Sequence, residues 1–137
     1  MDWLKSLTVF FIGAFGYGII ELLFRGYTHI TMGVLGGMCL LFMSILNYFR
    51  TSFLSLLVCA VISGIFITVL EGAMGYFLNL QLHMNVWDYS ENSYNLYGQI
   101  CLKFALAWIL LSAFVMPIER FLSNKLFNDR KNIRQTT

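Results

Sequence analysis

Residues 53–78 read FLSLLVCAVISGIFITVLEGAMGYFL, an apolar run long enough to cross ~30 Å of hydrocarbon at about 1.5 Å per residue. Glu71 is the sole formally charged side chain between Arg50 and Asp88. A carboxylate in such a run is costly unless it faces a protein interior, a partner or water, so it marks an internal pair or a functional site. The stretch predicts a membrane-spanning helix, and its carboxylate predicts where to look for function.

The rest of the chain follows the same solvent logic. Hydrophobic residues make up 58% of the 137, aromatic residues 17% and charged residues 12%, a balance too apolar for an ordinary soluble domain and a length that allows one compact bundle. Three further apolar stretches lie at about 7–24, 32–49 and 100–118. The first begins beside Lys5, but it is too long for a signal peptide, carries Glu21 and has no small-residue cleavage site, so it reads as a structural helix. The expected fold is an all-α membrane protein. Residues 1–118 form a four-helix transmembrane bundle with an external capping segment, and residues 119–137 form a basic cytoplasmic tail.

Charge sets the expected orientation. The tail holds Arg120, Lys125, Arg130, Lys131 and Arg134, whereas the 80–97 loop holds Asp88 and Glu91 and no Lys or Arg. Because Lys and Arg accumulate in cytoplasmic loops, both termini and the Arg50 turn are expected in the cytoplasm of a multi-pass cell-membrane protein, with the 80–97 loop outside. Arg25, in the first external loop, runs against the trend. Tail cations beside a bilayer also attract anionic lipid, and no nucleic-acid partner is expected.

Small and polar residues recur at helical spacing: Gly13, Tyr17, Glu21 and Arg25; Gly33, Gly37, Leu40, Ser44 and Asn47; Ala60, Gly64, Thr68, Glu71 and Gly75. In lipid, such stripes let backbones approach and polar groups pair, so they should face inward. Cys39, Cys59 and Cys101 lie in or beside apolar spans without CxxC spacing and read as small buried side chains. His29 and His83 with Glu21, Glu71 and Asp88 lack local ligand spacing, so neither a metal site nor a cofactor is expected. Residues 53–82, drawn as one helix of about 45 Å, outrun the hydrocarbon. A bend at Gly72 and Gly75, or an amphipathic continuation at the interface, is expected.

At the external end, Glu21, Arg25, Glu71 and Lys103 approach one vestibule, with Glu21 pairing to Arg25 and Glu71 to Lys103. A purely fold-locking network is the competing reading of the same charges. Trp87 and Tyr89 can wall the vestibule beside Asp88, and the segment from His83 to Ser90 suits the headgroup layer.

Glu21, Arg25-Gly26, Glu71, Gly75, Trp87-Asp88-Tyr89-Ser90, Asn95, Gly98-Gln99-Ile100-Cys101-Leu102 and Trp108 resemble the bacterial membrane proteins described as Putative ABC-transporter type IV, or CmpB-like. The resemblance covers roughly residues 15–111. Where that family usually opens its second span with a Gly-Pro-x-x-Pro-like stretch, this chain has His29-Ile30-Thr31-Met32-Gly33-Val34. The resemblance implies a transporter permease, yet the chain carries no Walker motif with which to hydrolyse ATP.

The expected function is a transporter or transporter subunit that binds a cation or polar solute at the external vestibule through Glu21, Arg25, Glu71, Trp87, Asp88, Tyr89, Asn95 and Lys103. Its expected partners are the lipid bilayer and a homo-oligomer or separate transport component. The alternatives are a non-transporting accessory, sensor or regulatory protein and, last, an intramembrane enzyme using Glu21 and Glu71 as acid and base. No G-x-S-x-G or H-E-x-x-H motif is present, and no catalytic residue is assigned. Transport requires water access from outside and a route inward past Ser44 and Asn47; an accessory protein can be packed solid.

Overall fold

The structure, a computed structural model, describes residues 2–135, with side chains described as far as Asn128. The side chains of Arg130, Lys131 and Arg134, expected to contribute to the basic tail, lie outside that range. Among the described residues four α-helices form the frame: α1 (Trp3–Arg25), α2 (Ile30–Asn47), α3 (Phe53–Gly75) and α4 (Leu102–Gln135). All four are long and apolar enough to cross a bilayer, which makes the chain a multi-pass membrane protein whose solvent is lipid.

Local chemistry sets the helix ends. Gly26 closes α1 with φ of 76°, its N–H bonded to Leu22 O at 3.1 Å, a left-handed cap that a side chain would strain. His29 opens α2 by accepting the Thr31 N–H on Nδ1 at 3.3 Å, so this histidine serves as a cap. Ser52 and Ser55 form a reciprocal capping box at the start of α3. After Glu71 the helix continues rather than stops: α3 passes at Gly75 into a π-helical turn, Tyr76–Gln81, and the two make one apolar helical run of 29 residues.

The helices assemble as two hairpins. On α1, a Cβ at Gly13 would come within 2.7 Å of Gly36 O and Leu40 Cβ, so the α1 and α2 backbones nearly touch. Gly36 and Gly37 make this seam; Gly33, expected on the stripe, has only ordinary contact with Ala14. Between α3 and α4, a Cβ on Gly64 would collide with the Ile109 side chain and lie 2.9 Å from its backbone. The core between the hairpins holds Met32, Leu35, Met43, Cys59, Ile67 and Met116. Cys39, Cys59 and Cys101 are all buried.

Residues 82–99 fold back over one end as a cap. A short antiparallel pair, β1 (Asn95–Leu96) with β2 (Ile100–Cys101), turns the chain into α4. Asn79 joins the cap to the π turn, accepting from Val86 N at 2.7 Å and donating to Gln99 Oε1 at 2.8 Å. Trp87 is buried beneath it, its Nε1 donating to Gln99 O at 3.0 Å. The fourth helix does not stop at residue 118: it runs through Pro117, and Glu119 and Ser123 beyond it are buried.

Candidate functional site

The last turn of α1 brings Glu21 and Arg25 together because residues four apart share a helix face. Arg25 Nη1 donates to Glu21 Oε1 at 3.1 Å, as the i,i+4 spacing predicts. Thr28 Oγ1 donates to the other oxygen at 3.0 Å. Arg25 Nη2 donates to Tyr27 OH at 2.8 Å and to Val86 O at 2.9 Å, tying α1 to the cap. Glu21 is thus buried with both oxygens bonded, which offsets the cost of removing its charge from water.

Glu71 is 1% exposed. Its Oε1 accepts from Tyr89 OH at 2.6 Å and its Oε2 from Trp108 Nε1 at 3.1 Å. The expected pair with Lys103 is not formed. Lys103 and Trp108 are five residues apart on α4, which places them about 140° apart around a helix of 3.6 residues per turn. Trp108 therefore faces α3 while Lys103 is exposed, its Nζ 5.6 Å above the Phe104 ring. Lys103 instead shares a shallow depression with Glu91.

A cavity of about 660 Å³ opens at the capped end. Glu21, Arg25, Trp87, Asp88 and Tyr89 line it, with Tyr17 and Trp108 on its inner wall. Glu71 lies behind this wall, holding Tyr89 and Trp108 in place. Asn95 and Lys103 are outside it; Asn95 shapes the loop, donating to Ser90 O and Asn92 O and accepting from Gly98 N at 3.0 Å. Of the eight residues expected from sequence, the fold thus brings Glu21, Arg25, Trp87, Asp88 and Tyr89 to the cavity.

Two groups outside the spans have shifted titration. Burial, followed by the adjacent Glu71 carboxylate, pushes the Tyr89 hydroxyl well above its ordinary range, so it stays a donor at physiological pH. Asp88 is held below the usual carboxylate range by hydrogen bonds from the Ser90 side chain and backbone N–H, the latter at 2.9 Å. Asp88 is thus an ionised, solvent-facing charge at the cavity rim.

Tyr17 was legible only as a packing position, and Tyr27 and Phe104 carried no sequence signal for a site. Of the polar cluster at the opposite end, the sequence turned Asn47 inward but gave no sign of Glu119 and Ser123. There Asn47 Nδ2 donates to Met116 O at 3.0 Å and to Glu119 Oε2, and Ser123 Oγ donates to Glu119 Oε1 at 2.6 Å. Glu119 follows Pro117 by two residues, where the apolar run weakens, so periodicity alone did not place it inside.

No curated protein and no solved structure matches the chain. A family model does match, over residues 7–136, which includes all four spans and the cap. On that match, the chain belongs to the family described as Putative ABC-transporter type IV.

Proposed function

We propose that this protein is a small membrane component of a transport system that holds a cationic or polar solute in the vestibule at its capped end. The cavity itself carries the reading. Asp88 and Glu21 line it together with Tyr17, Tyr27, Trp87, Tyr89 and Trp108, and carboxylates and aromatic faces both attract a cation. Glu21 is paired with Arg25, which leaves Asp88 as the lining carboxylate without an ion pair among the described residues. In this reading the protein lies in the cell membrane with both termini in the cytoplasm and the cap outside. The basic residues of the opposite end support that orientation: Arg120 donates to Arg50 O at 3.1 Å, and Lys5 to Tyr48 OH at 3.1 Å. Energy from ATP would come from a separate component, because this chain has no nucleotide loop.

A second reading, an accessory or sensor protein that binds without transporting, is favoured by one observation. Ser44 and Asn47, on the expected inward route, are buried, and Asn47 is bonded to Met116 O and Glu119. Binding and uptake by purified protein in proteoliposomes separate the two. Asp88→Asn and Glu21→Gln should weaken binding of a quaternary ammonium ion in a folded protein. Uptake of that ion supports transport, and binding without uptake supports the accessory reading. Full binding by both variants would sink the vestibule.

A further inference from the structure

The vestibule does not end at its polar walls. Tyr17, Ile20, Trp108 and Leu111 line it and also line a second space, a cleft of about 240 Å³ that descends between α1 and α4. The cleft exists because of how the hairpins pair: α1 packs on α2 and α4 on α3, and among the described residues α1 and α4 form no seam of their own. Along α1 it extends from Ile20 to Val9, a length of ~16 Å at 1.5 Å per residue. Its walls are almost wholly apolar below Tyr17 and Trp108, until Glu119 and Ser123 at the far end, which are bonded to each other and, through Glu119, to Asn47. Gly16 lines it, and a Cβ there would meet nothing within 4 Å. This glycine therefore leaves open space where Gly13 closes a helix seam.

A small hydrophilic solute would use the vestibule and leave this cleft without a purpose. At ~30 Å³ per water-sized group the cleft has room for on the order of eight such groups in file, the shape of a hydrocarbon chain. Its upper end opens among the carboxylates and aromatic rings described above. We propose that the ligand is an amphiphile with a cationic head, seated in the vestibule, whose hydrocarbon chain lies in the cleft between α1 and α4. This rests on the vestibule reading and adds the substrate class to it. The head supplies affinity through charge and aromatic contact. The chain gains little hydrophobic free energy, since it leaves one apolar medium for another, and contributes selectivity by shape. Entry would be sideways from the bilayer.

The test uses the whole protein in phosphatidylcholine nanodiscs. The probe is an alkyltrimethylammonium ion of eight-carbon chain length carrying a diazirine in the chain, and tetramethylammonium is the head-only competitor, its binding followed through tryptophan fluorescence. Photolabel should map to cleft-lining residues such as Ile12 and Val115 and be displaced by tetramethylammonium. Gly16→Leu, which projects a side chain into the open space, should cut that labelling about tenfold by overfilling the cleft, with tetramethylammonium still bound; Ile12→Phe is a second plug should the first fail to fold. If tetramethylammonium binds but label spreads over lipid-facing residues such as Phe15 and Ile19 regardless of the plugs, the chain site is refuted and the vestibule stands. Cross-linked dimers formed through the cleft would likewise refute it in favour of a second copy. Failure of tetramethylammonium to bind at all would refute the vestibule reading itself.

Discussion

Tyr89→Phe removes one oxygen from the site and little else. The ring stays stacked on Phe104, whose centroid lies 4.7 Å away, and the vestibule keeps its aromatic wall. What is lost is the bond to Glu71 Oε1 at 2.6 Å. A hydrogen bond to a charged group contributes ~1.5–3 kcal/mol, while side-chain bonds between membrane helices average ~0.6 kcal/mol. The cap sits between those environments, so a loss of about 1–2 kcal/mol is expected. Reversible unfolding in mixed micelles with rising dodecyl sulfate, followed by tryptophan fluorescence, measures it. In a double-mutant cycle with Glu71→Gln the coupling should be about 1 kcal/mol, whereas Lys103→Met should couple to Glu71→Gln by less than ~0.5 kcal/mol because the two side chains do not meet. A Tyr89→Phe loss below ~0.5 kcal/mol with an additive cycle, or a Glu71–Lys103 coupling of ~1 kcal/mol, would refute the reasoning.

Glycine substitutions should divide by location. Gly64→Ala puts a methyl group into Ile109 and should cost about 1–3 kcal/mol by overpacking; Gly18→Ala, with nothing within 4 Å, should be neutral or stabilise by up to ~1 kcal/mol by reducing unfolded-chain freedom. Equal effects in the same micelle assay would contradict the α3–α4 seam. For Asp88, the folded-state titration is lowered by Ser90, so the stabilisation is present above the unfolded value of ~3.9 and is lost as pH falls through the lower folded value. Cation binding should survive acidification to about pH 4 as far as Asp88 governs it, and Ser90→Ala should move the acid midpoint upward. An unmoved midpoint would remove Asp88 from the binding charge.

The membrane fold was legible because lipid imposes a one-dimensional rule. A span must satisfy its backbone within itself and remain apolar for about 20 residues, so the four helices could be counted along the chain. The Glu21–Arg25 bond was legible for the same reason, since i,i+4 geometry belongs to a single helix. The partners of Glu71 were not. Tyr89 and Trp108 lie 18 and 37 residues away, and only the fold-back of the cap and the rotation of α4 about its axis choose them over Lys103. Gly36 and Gly33 are equally small in the sequence; which one touches α1 depends on the rotation of α2. The cleft is further still from the sequence, because it is formed by two helices that do not pack on each other. Residue type and period determined which segments enter the bilayer and which face of a helix is small or polar. Tertiary structure alone decided which faces meet and which are left open, because that choice depends on the relative rotation and pairing of whole helices.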